Sequence, residues 1–290
     1  MKLESLIKKN KFKSIVGLVL TYYVLICQSC ATMRMNPKEV KSFFDNAKVN
    51  FKDSTITIED TKIHYLETGK KDKPTLFFVH GSPGSGGESY KEYLKDSLLL
   101  KKYRMIAIER PGFGYSDFRK AKKLYDQAHI LEAFVDKIKN GENIYLIGHS
   151  YGGPVIVKMA IDKPSTFKEI IILAGAIDPD AETPEKWRPI LKAFPIRYIV
   201  PGALRPANDE LWWLKTDLKT MKPTLVNITT NVLIIHGTKD PLVPYSNAAF
   251  IQKEFVNAKS MELISIKDAN HFIPWEHFSE IRDQLLNLKE

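Results

Sequence analysis

Cysteine is nearly missing from this chain. Its 290 residues hold two, Cys27 and Cys30, and none follows them. The body therefore has neither a disulfide framework nor a thiolate metal site. No His, Asp and Glu set has ligand spacing either, so no metal is expected. The stretch Gly81 to Gly87 lacks the Gly-Lys-Ser/Thr of a nucleotide loop. Internal repeats and low-complexity tracts are also missing. A basic stripe is lacking too, despite a formal charge of +9. Lys2, Lys8, Lys9, Lys11 and Lys13, against Glu4, concentrate much of the surplus in residues 1–29, and the rest is spread out. Nucleic acid is thus not an expected partner. What the chain does have is length and 44% hydrophobic residues, enough to bury a substantial core.

The most informative stretch is Asn143 to Gly153. The apolar run Ile144-Tyr145-Leu146-Ile147 reads as a buried strand, and Pro154 to Lys163 reads as a helix. Between them stands Gly148-His149-Ser150-Tyr151-Gly152, a Gly-x-Ser-x-Gly pattern in a strand–turn–helix setting. Such a turn exposes a serine as a nucleophile. Side chains at Gly148 or Gly152 would collide with neighbouring strand and helix backbone. The helix that follows offers free N–H groups and a positive dipole end where acyl transfer develops negative charge.

The rest of the body repeats one theme. Residues 55–58 and 62–67 alternate as an antiparallel hairpin with one solvated face. Apolar runs over 75–79, 105–108, 144–147, 170–174, 232–235 and 261–266 read as further strands. Helical patterns lie between most of them, over 89–102, 124–139, 151–163 and 245–256, and a last one covers 274–288. Alternation of this kind predicts a mainly parallel α/β sheet with helices on both faces. Residues 178–231 break the rhythm: they hold no buried strand but carry Trp187, Phe194, Tyr198, Trp212 and Trp213. This predicts an inserted helical cap over the strand ends.

The loops after the parallel strands carry the polar residues, at the sheet edge where ligands bind in open α/β folds. In order these are His80-Gly81-Ser82-Pro83-Gly84, then Arg110-Pro111-Gly112-Phe113-Gly114, then the Ser150 turn. His236 to Pro244, with Asp240, and Lys267 to Phe272, with His271, complete the set. From about Lys48 to the end this set resembles the α/β-hydrolase family, whose triad runs in the order Ser, Asp, His. The resemblance implies an eight-stranded sheet, with Ser150 as nucleophile, His271 as base and then acid, and Asp240 as its orienting carboxylate. It also implies an oxyanion hole from two backbone N–H groups. One is that of Tyr151. The other comes from the His80 loop, where Ser82 is chosen because Pro83 has no N–H. Glu109 stands before Arg110-Pro111-Gly112 where relatives often have Asp. Asp178 and Asp180 are alternative acids. His149 reads as structural, His80 and His236 as loop-shaping, and His64, His129 and His277 as uninvolved.

At the N-terminus, lysines precede the apolar run Ile15 to Ile26, which is too short for a comfortable bilayer span. The sequence Cys27-Gln28-Ser29-Cys30-Ala31 follows, and the whole resembles a bacterial lipoprotein signal with Cys30 as the lipid-bearing residue. Cys27 departs from the Leu, Val or Ile usual at its position. The expected organisation is a signal segment over 1–29, a tether over 30–47 and the α/β domain over 48–290. The body would then lie outside the cytoplasm, lipid-anchored to a bacterial membrane. An uncleaved anchor or a plain signal peptide are the alternatives.

Together these features predict a cofactor-independent serine hydrolase that cleaves an ester-like acyl bond of a small, apolar substrate lined by the cap aromatics. An aminopeptidase of the proline-iminopeptidase type is an alternative. It would need Glu182, Glu185, Asp209 or Glu210 to hold a substrate amine. Carbon–carbon hydrolases and acyltransferases use the same triad, and a non-catalytic surface binding protein is the alternative outside enzymes.

Overall fold

The computed structural model describes residues 13–19, 21–23, 31–183 and 185–289. Cys27 and Cys30, with the lipid attachment expected at Cys30, lie outside the described residues. Among the described residues, no helix is long and apolar enough to cross a membrane.

Eight strands form one sheet: β1 (Phe51–Ile58), β2 (Thr61–Thr68), β3 (Thr75–Val79), β4 (Arg104–Ile108), β5 (Ile144–His149), β6 (Glu169–Leu173), β7 (Asn231–Gly237) and β8 (Ser260–Ile266). Their spatial order is β1-β2-β4-β3-β5-β6-β7-β8. From β4 to β8 all neighbours are parallel, and the β1–β2 hairpin joins β4 antiparallel. The runs β3, β4 and β5 are buried throughout, as strands covered on both faces must be. The hairpin departs from the expected single solvated face. Only β1 alternates; β2 lies between β1 and β4 and is buried along nearly its whole length. Its Glu67 is tolerated inside because Arg104 Nε donates to it at 2.7 Å.

The covering helices follow from apolar periodicity. On one face α2 (Gly86–Lys95), α3 (Ser97–Lys102) and α9 (Phe278–Leu286) contribute Tyr90, Tyr93, Leu99, Ile281 and Leu285 to one core. On the other, α4 (Leu124–Ile138), α5 (Gly152–Asp162) and α7 (Ser246–Glu254) supply Leu131, Phe134, Val155, Ile156 and Ile251. The single helix expected over 89–102 is two, because Asp96 is extended (φ −63°, ψ 122°) and caps the second through Leu98 and Leu99 N–H. A short turn, α8 (Ile273–Glu276), likewise stands apart from α9.

Within the stretch expected as a tether, residues 37–47 form an ordered helix, α1 (Pro37–Ala47). Asn36 caps it with a full capping box to Glu39, Pro37 opens it, and Val40 and Phe44 are buried in the core of α2, α3 and α9. Residues 31–35 also lie on the body: the Ala31 carbonyl accepts from Ala203 N–H at 2.9 Å.

Among the described residues between β6 and β7 there is no strand. Two single-turn 3-10 segments, Arg188–Lys192 and Ile196–Tyr198, lead into α6 (Leu204–Met221), and a third, Lys222–Asn227, leads out. The far half of α6 packs Leu214, Leu218 and Met221 into the core with α4 and α5. Its first turns rest on Phe113 and Phe118 through Ala203 and Ala207.

The chain leaves β3 toward β4 on one side and leaves β5 toward β6 on the other. That divergence opens a crevice at the carboxyl ends of β3 and β5, the usual ligand position in such sheets.

Candidate active site

Both loops flanking this crevice are shaped by glycine. Ser150 follows β5 with φ 53°, a left-handed conformation rare for a side-chain-bearing residue. A Cβ at Gly148 would strike the Gly152 carbonyl, and one at Gly152 would strike the Val79 carbonyl of β3. The two glycines therefore let strand, turn and helix approach at backbone distance, as the pattern requires. Gly81 does the same for the other loop: a Cβ there would lie 2.9 Å from Ser150 Cβ. Ser82 is consequently held beside the serine turn. Among the described residues, neither the Ser82 N–H nor the Tyr151 N–H donates to a backbone carbonyl. Tyr151 immediately precedes α5, so its N–H lies at the helix's positive end.

Asp240 and His271 meet across β7 and β8. His271 Nδ1 donates to Asp240 Oδ2 at 2.7 Å, while Asp240 Oδ1 accepts from Leu242 and Val243 N–H at 2.8 Å each. Burial alone would raise the Asp240 pKa. The neighbouring His236 and His271 and the Val243 N–H outweigh it and hold the carboxyl well below the ordinary range. His236 is an electrostatic neighbour at 3.6 Å, since its Nε2 donates to the Val243 carbonyl at 3.0 Å. The alternative acids lie elsewhere. Asp178 accepts from Asp180 N–H in its own loop, and Asp180 lies 3.7 Å from Lys222.

His149, read from the sequence as structural, docks the histidine loop. Its Nε2 donates to the His271 carbonyl at 3.0 Å, with the two rings 4.7 Å apart. Burial, with the nearby His271, pushes the His149 imidazole down to about 3, so it stays neutral and keeps the donor that this bond needs. His80 plays a parallel part in the other loop. Its Nδ1 donates to the Gly81 carbonyl at 2.7 Å, and its Nε2 accepts from Arg110 N–H at 3.0 Å. Burial first, and the Arg110 charge second, hold it well below its usual pKa.

Arg110 is the central residue that sequence reasoning missed. It is fully buried, and its guanidinium pairs bidentately with Glu210 of α6 at 2.7 and 2.8 Å. The same group donates to Gln127 and to the His80 and Gly81 carbonyls, and it stacks 4.6 Å from the Tyr151 ring centre. One side chain thus ties the cap to the Ser82 loop and to the residue after Ser150. Its place in a Pro-Gly loop after β4 was visible, but the Glu210 partner, 100 residues away, was not. His64 was passed over as well. It lies between Asp53 at 2.6 Å and Glu109 at 3.1 Å. Burial opposes its charge, but these carboxylates raise its pKa.

The cap differs from expectation in its facing. Phe194 is 84% exposed, and Trp187 (47%) and Tyr198 (50%) also face solvent rather than line a pocket. Neither 3-10 turn buries a residue. Single turns carry no sustained apolar stripe, so aromatic content there does not specify an inward face. Beside Pro206 and Ala207, the start of α6 buries four polar side chains: Arg205, Asn208, Asp209 and Glu210. The carboxylates considered for holding a substrate amine are mostly engaged. Glu210 binds Arg110, Asp209 binds Lys192 and Arg197, and Glu185 binds Arg188.

With this geometry in view, the class is plain: the chain has the α/β-hydrolase fold. The family described as "alpha/beta hydrolase fold" matches residues 74–198, a span that contains Ser82, Ser150 and Tyr151 but not Asp240 or His271. Among curated proteins, the chain is similar to 1-acylglycerol-3-phosphate O-acyltransferase of Arabidopsis thaliana, 31% identical over 124 residues. That match covers 41% of this chain and 29% of the relative, so the chain spans about three-tenths of the relative's length. Among solved structures, a membrane phospholipase A described as a bacterial virulence factor superposes with TM-score 0.64 at 16% identity. The superposition covers 99% of this chain and 100% of that one. The 2-hydroxy-6-oxo-6-phenylhexa-2,4-dienoate hydrolase of Rhodococcus sp. strain RHA1 superposes with TM-score 0.65 at 17% identity, covering 82% and 98%.

Proposed function

We propose that this protein is a serine hydrolase cleaving an ester-like acyl bond through an acyl-enzyme. Ser150 Oγ attacks the carbonyl carbon while His271 Nε2 takes its proton. The tetrahedral oxyanion accepts hydrogen bonds from Ser82 and Tyr151 N–H. The carbonyl re-forms, the bond to the leaving group breaks, and His271 returns the proton to that group. Water, deprotonated by the same imidazole, then releases the acid and restores Ser150. Asp240 keeps the proton on Nδ1 and stabilises the imidazolium.

The observation that supports this reading most is the buried His271–Asp240 pair, 2.7 Å apart, at the same sheet edge as a left-handed Ser150. The phospholipase similarity agrees with an ester substrate. The similarity to a dienoate hydrolase keeps carbon–carbon cleavage as a second reading, since the same triad serves both. The aminopeptidase reading loses support because Glu210 and Asp209 already neutralise cations of this chain. The lipid on Cys30, and with it an extracytoplasmic, membrane-anchored placement, is part of the same proposal.

The test is covalent labelling of the full chain with a fluorophosphonate, followed by turnover of a panel of acyl esters. Wild type is expected to label and turn over. Ser150→Ala should lose labelling and lower kcat by at least about 10,000-fold. Wild-type turnover in Ser150→Ala would reject the serine mechanism, and no turnover or labelling by wild type would favour the binding-protein reading.

A further inference from the structure

The outward side chains of the cap form an apolar surface that the triad does not explain. Within residues 185–204, Trp187, Ile190, Phe194, Tyr198, Ile199 and Leu204 are all exposed, Phe194 most of all. Pro189 and Pro195 are exposed between them, and the Phe194 and Tyr198 rings meet edge-on at 6.0 Å. Single apolar residues scattered over a surface need no explanation, but six within one short stretch do. The same stretch carries Lys186, Arg188, Lys192 and Arg197 against one acid, Glu185. Glu185 pairs with Arg188, and Asp209 of α6 holds Lys192 and Arg197 at 3.2 and 3.9 Å. Aromatic and aliphatic tips interleaved with cations are the composition that sits at a lipid–water boundary.

The N-terminal part of the chain indicates what covers this surface. Residues 13–19 and 21–23 are helical and expose Ile15, Leu18, Val19 and Tyr22, so a second apolar element is uncovered as well. From Tyr23 to Ala31 the chain can span at most about 28 Å. Ala31 is fixed to the cap, since its carbonyl accepts from Ala203 N–H at 2.9 Å. The residues after it are fastened too: Arg34 donates to the Gly114 carbonyl, and Met35 is buried in the core. Met33, between them, is exposed. An apolar phase that takes up the N-terminal helix must therefore begin within that distance of the cap. A second copy or another protein seated on the cap would leave the N-terminal helix bare. A bilayer covers both.

We propose that the outer surface of the cap, residues 187–204 with Met33, docks on a phospholipid bilayer. Trp187, Ile190 and Phe194 enter the boundary between headgroups and acyl chains, and the exposed Lys186 meets lipid phosphate. The Arg110–Glu210 pair, which ties α6 to the Ser82 loop, then keeps the candidate active site near the lipid surface. The docking rests on the membrane-anchored placement proposed above but not on the triad. A Ser150→Ala chain therefore docks as wild type does.

The experiment places the full chain, with its N-terminal segment, on vesicles of phosphatidylcholine and phosphatidylglycerol. Co-flotation reports the membrane placement. Quenching of tryptophan by phosphatidylcholine brominated near the headgroup end of its acyl chains reports docking of the cap. Phe194→Trp should add emission, measured as the difference from wild type, that the brominated lipid quenches about twofold or more. Val256→Trp is the control, because Val256 is exposed in the turn that enters β8, at the amino edge of the sheet and away from the crevice. Its added emission should stay within about 10% of that on unbrominated vesicles. Flotation without quenching at residue 194, or equal quenching at both positions, would overturn the docking while leaving the anchor in place. A chain that does not float would overturn both. Dimerisation on the vesicles that shields residue 194 from the brominated lipid would assign the face to a second copy and overturn the docking as well.

Discussion

The floor of the candidate site and the cap above it solve opposite problems. In the floor, at the ends of β3, β5, β7 and β8, most of the polar groups meet a partner at short range and glycine admits backbone to backbone. In the cap, residues 187–199 turn aromatic side chains outward and bury none of their 3-10 turns. The floor is preorganised, which is what stabilisation of a developing oxyanion demands. The cap is held to it mainly through the body of α6, by apolar packing at its far half and by the Arg110–Glu210 pair at its near half. Position in the fold, rather than residue type, separates an aromatic that shapes a pocket from one that meets solvent.

That contrast can be tested from its strongest side to its weakest. The largest effect is expected in the floor: Asp240→Asn should lower kcat by about 10,000-fold on a soluble ester, whereas Asp178→Asn should leave it within about twofold. Comparable losses in the two variants would move the orienting carboxylate to the cap side and break the distinction.

Next comes the tie between the two regions. Glu210→Gln leaves the Arg110 charge buried without its partner, and urea unfolding should report a loss of about 3–5 kcal/mol. Replacing both members by apolar residues should recover much of that loss, because neither charge then needs solvation. If Glu210→Gln were as stable as wild type, the pair would not be what fastens the cap.

The smallest effect belongs to the cap surface. Phe194→Ala should change stability by no more than about 0.5 kcal/mol and leave kcat/KM on a soluble ester unaltered. A fall in kcat/KM of more than about fivefold would return Phe194 to the substrate pocket and erase the contrast altogether.

Much of the floor was legible beforehand for a physical reason. A strand buried on both faces must be a short continuous apolar run, so β3 to β7 announce themselves, and the residues just beyond them fall on one edge. The helix α1, in the stretch expected as a tether, also has a local signal. Asn36-Pro37-Lys38-Glu39 is an N-cap, a first-turn proline and a capping-box acid in the right order. The break at Asp96 carried a similar local signal, an acid placed to cap a second helix.

The sequence by itself determined the fold class, the strand order of the chemistry-bearing residues and the turn that holds Ser150, because burial periodicity and glycine sterics act locally. Only the tertiary structure decided which way the cap aromatics face, that His149 carries the His271 loop, and that Arg110 meets Glu210. It alone placed Arg34 and Arg119 beside the Phe118 ring and Arg205 beside that of Tyr198. Polar pairs between distant segments leave no period in the chain. Their partners are chosen by which elements happen to pack, and a charge finds its counterpart only when burial removes the alternative of water.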